Sequence, residues 1–527
     1  MKKLKELKFE ELTTKQKLGM VHVAYIRDDY SDQTKEYIYD LIRNHMLGGI
    51  WIQHGDKGYE GCLAKVKEIA DYPILIITDA ESGIGEYLVG RHNAIGCTGD
   101  EKYAYAFGKV TAATARSMGY NVVCNPVLDI KDNGWVRSFG SDKAQIAKMA
   151  AAEARGMHDG GVLTVGKHYP SGRNPLDIDS HMAEAYEDQT EEDLVDYSLY
   201  AYIELIKEAL LDGLMSGHHR FINIDPDAPA SLSKKVLDII RNQGFDGFFI
   251  TDALCMMGIR AKFGDVESKG LAIAAGNDLA LPYNWQAKFS HEALCTCYEK
   301  GIITDERLEE AVKRVLAAQH KVMLMKENGA QELTEEEVYL CKHINKDSIY
   351  AKTDEGLSTS IPRDGKYLFA LMTRNEEQVG GDGKVEVDTF SNGWLYPSKV
   401  TEKIKRLFPN SDVYAFHQFP KQTHNHRILS SAVDYDGVIF LTFSEALAYT
   451  GPEHLTRRVE TLITAMQYTN QISTLIHFGN PCILGNLPHI PRYILGGLSE
   501  ESVETCIEVL AGEYEAKGVL TYDVKLN

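Results

Sequence analysis

GFFITDA, residues 247–253, is the stretch whose reading decides the fold. Phe248-Phe249-Ile250 is an aromatic and aliphatic run without alternation, which points to a short strand covered on both faces, as in a parallel sheet wrapped by helices. Asp252 follows directly. A carboxylate at the end of a buried strand is costly unless it is paired or put to use. The competing reading is a helix N-cap, because Asp is a favoured capping residue and ALCMMGI can form the turn after it.

Working outward, similar runs recur at GGIWIQ (48–53), PILIITD (73–79), NVVCNPVLD (121–129), GVLTVGKH (161–168), GLMSGHH (213–219) and DLALP (278–282). Helical patterns such as EKYAYAFGKVTAATARSMG and EEDLVDYSLYAYIELIKEALLDG lie between them. Strand-helix alternation of this regularity predicts parallel pairing with right-handed crossovers. Seven or eight such units before Asn345 fit a (β/α)8 barrel with insertions, while a doubly wound open sheet competes on spacing alone. Charged helices follow from residue 303 to about 350, and turn residues gather at STSIPRDGK (358–366). Beyond them KYLFALM, DVYAFHQF, GVIFLTFS, STLIHFGNP and YILGG alternate with helices such as HLTRRVETLITAMQ. The expected organisation is an α/β barrel domain over 1–345, a linker over 346–364 and a smaller α/β sandwich domain over 365–527. GGDGKVEV does not match a phosphate-cradling loop and is expected as a hairpin or surface loop.

The 527 residues are 44% hydrophobic and 25% charged, an ordinary globular composition, and the length exceeds what one core supports. A net charge of −20 opposes sequence-independent nucleic-acid binding and gives no reason for an anionic membrane partner. MKKLKELKFEELTTKQKL lacks the apolar core of a secretory signal, and no apolar run is long enough for a membrane span. Nine dispersed cysteines fit reduced thiols in a cytoplasmic protein, without a disulfide framework or a structural zinc site. No cofactor or metal is expected, and the sequence leaves the oligomeric state open.

Polar residues end these strands at Asp79, Asp129, His168, His218 and Asp252, which in a parallel barrel places them on one rim. Such convergence favours a small-molecule site. KHYPSGRNPLDIDSH (167–181) adds Lys167 at a strand end and a loop reaching Asp179-Ser180-His181. An Asp two residues before a His can bond one ring nitrogen and raise the basicity of the other, which suits a general acid/base. Arg137 follows Asp129 in its loop. Lys, His, Arg and Asp in one cleft can hydrogen-bond a polyhydroxylated ligand from several directions.

These stretches resemble glycoside hydrolase family 3, most of all its bacterial β-N-acetylglucosaminidase branch. PVLDIKDNGWVRSFG is similar to the family's "PVLD … RSFG", and KHYPSGR to its "KHFPGHG". MSGHHRFINIDPDAPASLSKKVLDIIRNQGFDGFFITDAL (215–254) runs to the family's nucleophile-bearing "SDDL" or "TDDL". AIAAGNDLALP is similar to the barrel-closing "AGADLLL", and STLIHFGNPCIL and VETCIEVLAGEYEAKGVLTYDV resemble the C-terminal domain. The resemblance implies a retaining, exo-acting enzyme on a small carbohydrate substrate. Asp252 would be the nucleophile, His181 with Asp179 the acid/base, and Lys167, His168, Arg137, Asp79 and His218 the sugar-binding residues. Lys167 is expected to hold the Asp252 pKa down. An imidazole acid/base repels anions less than a carboxylate, so phosphorolysis stays open beside hydrolysis. A β-glucosidase or β-xylosidase of the same family and a non-catalytic sugar-binding protein are the other readings. The family's "DQEGGRV" stretch reads DAESGIGEY (79–87) here, with Ile84 and Tyr87 where arginines are expected. Arg173 replaces a His, and the segment to DSH is one residue longer.

Overall fold

The computed structural model describes residues 4–55, 58–131, 134–173, 178–284, 286–374, 376–379, 385–388, 394–445 and 454–527. Seven parallel strands form the first sheet in sequence order: β1 (Val23–Tyr25), β2 (Gly49–Trp51), β3 (Leu75–Thr78), β4 (Val122–Val123), β5 (Leu163–Tyr169), β6 (Gly213–Ser216) and β7 (Phe248–Thr251). β1, a short apolar run that continues into Ile26, was not among the sequence candidates. The sheet is closed by residues 278–281, part of the DLALP candidate. Leu279 bridges to Ile250 of β7 and Ala280 to His22 beside β1, both parallel. The amide of Thr251 donates to the Leu279 carbonyl at 3.0 Å, and that of Val23 to the Ala280 carbonyl at 3.0 Å. A (β/α)8 barrel results, and the open-sheet alternative falls.

Side-chain alternation explains the continuous apolar run of β7. Phe248 and Ile250 point into the barrel with Val23, Leu75, Ile77, Val165 and Leu279. Phe249 points outward to the helices, edge-on to Tyr169 and Phe245. Both faces are therefore buried. Asp252 does not cap a helix: the next one, Met257–Phe263, has Met256 at its N-cap.

The second sheet contains β8 (Tyr350–Thr353), β9 (Tyr367–Thr373), β10 (Asp412–His417), β11 (Gly437–Phe443), β12 (Ile472–Phe478) and β13 (Arg492–Gly496), ordered β8-β13-β12-β11-β9-β10. All pair parallel except β8, which runs antiparallel to β13 and lies within the stretch expected as linker. Its polar, half-buried residues hide it from a search for apolar runs. Glu376–Val379 and Val385–Asp388 pair antiparallel, and the glycine-rich turn between them lies outside the described residues. The loop after β12 and the segment that follows the last helix, Glu500–Ala511, meet the barrel: Asn93 Nδ2 donates to the Gly479 carbonyl at 3.2 Å, and the Tyr522 hydroxyl to the Trp135 carbonyl at 3.0 Å. Among the described residues no helix is long and apolar enough to cross a membrane.

Candidate active site

The C-terminal ends of β4 to β7 converge on a cavity of about 80 Å3. Asp252, His181, Asp179, His168, His218 and Arg137 line it, together with Asp129, Lys131, Trp135 and His219. Asp79 and Lys167 are not in its wall.

Arg137 belongs to a four-member ion cluster. The Lys167 ammonium, almost wholly buried, pairs with Asp79 and with Glu81 at 2.6 Å. Arg137 grips Glu81 with two hydrogen bonds, 2.7 Å from Nε and 2.5 Å from an Nη. Two cations against two anions make the cluster neutral, the condition under which buried charge is tolerable. Burial alone would raise the Glu81 pKa, but Arg137 and Lys167 hold it well below the ordinary carboxylate value. Burial opposes the Lys167 charge, and Asp79 and Glu81 more than restore it. Where arginines are expected at 84 and 87, Ile84 is buried in the core, and Arg91 instead approaches Glu81 at 3.8 Å.

Arg137 also orders the opposite wall. Its guanidinium stacks 4.5 Å from the Trp135 ring centre, and the Lys131 ammonium lies 3.9 Å from the same ring. Its Nη2 lies 3.1 Å from His168 Nε2, while His168 Nδ1 is 2.8 Å from Asp129. A guanidinium only donates, so Nε2 accepts and the proton sits on Nδ1 facing Asp129.

Burial pushes the Asp252 pKa up, yet His168, His218, His181 and the Ala253 amide outweigh it and lower it from 3.8 to about 2. The expectation that Lys167 does this is corrected: its ammonium is engaged by Asp79 and Glu81, and the imidazoles that line the same cavity lower the Asp252 pKa instead. Burial lowers the pKa of His218 itself, with Nδ1 2.8 Å from the Ser231 hydroxyl and Nε2 3.0 Å from the Ala253 carbonyl.

Asp179 Oδ1 lies 2.7 Å from His181 Nδ1 and also accepts the His181 amide at 2.9 Å. The loop bearing this pair docks on the start of helix Met257–Phe263. The Met257 amide donates to the His181 carbonyl at 3.1 Å and the Gly258 amide to the Ser180 carbonyl at 3.2 Å. Those two amides have no partner within their own helix, so the loop satisfies them. Residues 174–177 of the loop lie outside the described residues.

Sequence reasoning passed over Glu81, Trp135, His219 and Gly258. Glu81 and His219 each adjoin a residue that was singled out, Asp79 and His218, and that adjacency was the available signal. Trp135 and Gly258 carry none without the tertiary contacts.

The family model for the glycosyl hydrolase family 3 N terminal domain matches residues 6–318. A beta-hexosaminidase from Idiomarina loihiensis is 32% identical over 241 residues, covering 43% of this chain and 72% of that protein. Among solved structures, the glycoside hydrolase family 3 beta-N-acetylglucosaminidase from Paenibacillus sp. superposes with a TM-score of 0.79 at 23% identity, covering 98% of this chain and all (100%) of that one. The beta-glucoside phosphorylase BglX superposes with a TM-score of 0.80 at 23% identity, over 98% and 95% of the two chains. At that identity the two superpositions speak for the fold, while the family match covers more than half of the sequence. The chain belongs to glycosyl hydrolase family 3.

Proposed function

We propose that this glycoside hydrolase is a retaining, exo-acting β-N-acetylglucosaminidase. The observation that carries the reading is one cavity at the barrel mouth lined by both an ionised carboxylate, Asp252, and an imidazole oriented by a carboxylate, His181 with Asp179. Retention requires a nucleophilic carboxylate on one side of the anomeric carbon and a proton donor at the leaving oxygen. Asp252 is assigned the attack that forms a glycosyl-enzyme. His181 is assigned proton donation to the leaving oxygen and then removal of a proton from the incoming water. With Nδ1 turned to Asp179, Nε2 is the atom that carries the proton in both steps. Arg137 and His218, in the wall, are assigned to holding the sugar, as is His168. Asp79, whose side chain is 36% exposed, and Lys167, paired with it, are assigned to the same sugar-binding site. The N-acetylglucosaminide preference is supported by the beta-hexosaminidase names of the relatives, and all the residues given roles belong to the barrel.

The test is turnover of aryl β-N-acetylglucosaminides, with aryl glucosides and xylosides alongside. Asp252→Ala is expected to abolish turnover while keeping a cooperative thermal melt; wild-type kcat in that variant would overturn the nucleophile. His181→Ala is expected to slow poorly activated leaving groups far more than activated ones, and equal slowing would remove it as the proton donor. Running the series with and without inorganic phosphate separates hydrolysis from phosphorolysis.

A further inference from the structure

The cavity holds another imidazole–carboxylate pair that the mechanism does not use. Glu187, with no exposed side-chain surface, places Oε1 2.7 Å from Nδ1 of His219, which lines the cavity. Among the described residues none hydrogen-bonds His219 Nε2. A buried carboxylate accepts, so the neutral ring carries its proton on Nδ1 and leaves Nε2 as an acceptor at the cavity wall.

The position of this pair is set by a small parallel ribbon. Tyr186–Glu187 pairs with Arg220–Phe221, joining the segment that follows His181 to the loop after β6. The Arg220 amide donates to the Ala185 carbonyl at 2.9 Å, and the Ile222 amide to that of Glu187 at 3.0 Å. At the other end of the same loop, Gly172 presses so closely on Glu187 that a Cβ there would stand 2.3 Å from Oε1. Its φ of +142° is one that other residues rarely adopt. Glu187 thus meets both ends of the loop carrying His181 as well as His219. A wall tied to the proton donor's loop lies on the side of the departing group.

Resting on the reading of the site given above, we infer that His219 contacts the leaving-group sugar, its Nε2 accepting a hydrogen bond from one sugar hydroxyl, and that Glu187 is the positioning residue that fixes the ring. The experiment compares kcat/KM for a β-1,4-linked N-acetylglucosamine disaccharide with that for an aryl β-N-acetylglucosaminide, which offers no hydroxyl there. His219→Ala is expected to lower the disaccharide-to-aryl ratio by roughly three- to ten-fold, the worth of one neutral hydrogen bond. His219→Gln, whose amide can face Glu187 and still present an oxygen, should recover part of that ratio. Glu187→Ala should lower the ratio, and the double variant should lose no more than His219→Ala alone. A merely structural role would shift the melt and leave the ratio alone. Disaccharides lacking single hydroxyls on the leaving sugar test the unaltered enzyme, and one of them should lose the same factor. An unchanged ratio in His219→Ala, additive losses in the double variant, or no deoxy substrate affected would each overturn the inference. Failure of the site reading shows differently, as aryl turnover that survives Asp252→Ala.

Discussion

Gly258→Ala tests whether the seat of the His181 loop governs proton donation. Gly258 is the second residue of helix Met257–Phe263, and a Cβ there would come within 2.9 Å of both the Ser180 and the Ala183 carbonyl oxygens. Both are backbone atoms, so no side chain can swing away. Ordinary contact begins near 3.4 Å, so the loop must retreat by about 0.5 Å. A 1 Å misplacement of a catalytic group costs about 100-fold, so half that distance is expected to cost roughly ten-fold. The loss should fall on kcat for poorly activated leaving groups and leave KM nearly unchanged, because Asp252 and the sugar-binding wall stay in place. Stability should move little. Overpacking costs about 1–3 kcal/mol, and exchanging a helical Gly for Ala returns up to about 1 kcal/mol. The assay is a series of aryl β-N-acetylglucosaminides graded by leaving-group acidity, with a thermal melt as control. If Gly258→Ala keeps wild-type kcat across the series, the docking of Ser180 and His181 on this helix does not position the acid/base.

Two other predictions concern charge. Because the folded-state pKa of Asp252 lies at about 2, below its ordinary 3.8, its contribution to stability is complete above about pH 4 and is lost as pH falls through 2. The acid limb of kcat/KM assigned to the nucleophile should accordingly lie below pH 4; an apparent pKa above that would mean burial outweighs the surrounding imidazoles. Glu81→Gln leaves Arg137 and Lys167 with Asp79 as the remaining carboxylate of the cluster. Breaking such a buried pair is expected to cost about 3 kcal/mol, read as a lower melting temperature together with a raised KM through the loosened Arg137. An unchanged melt would show that the cluster does not depend on Glu81.

Local chemistry is legible in the chain wherever the deciding contacts are short-range. Buried parallel strands announce themselves as apolar runs because both faces are covered, as Phe248 and Phe249 illustrate. Asp179 and His181 are close enough in sequence for their hydrogen bond to be expected from spacing alone. β1 was passed over although its residues are apolar, and β8 escaped notice as an edge strand whose residues are only partly buried. Closure of the barrel could not be read from spacing, because it depends on Ala280 meeting His22, residues some 258 positions apart. The tertiary structure alone decided how charge is shared out. It placed Lys167 against Asp79 and Glu81 and put His168, His181 and His218 in the same cavity as Asp252. It drew Arg91 toward Glu81 and set His219 on Glu187. Apart from Arg91 with Glu81, those pairings join residues from different βα units, and only the converging strand ends bring such residues within a few ångströms.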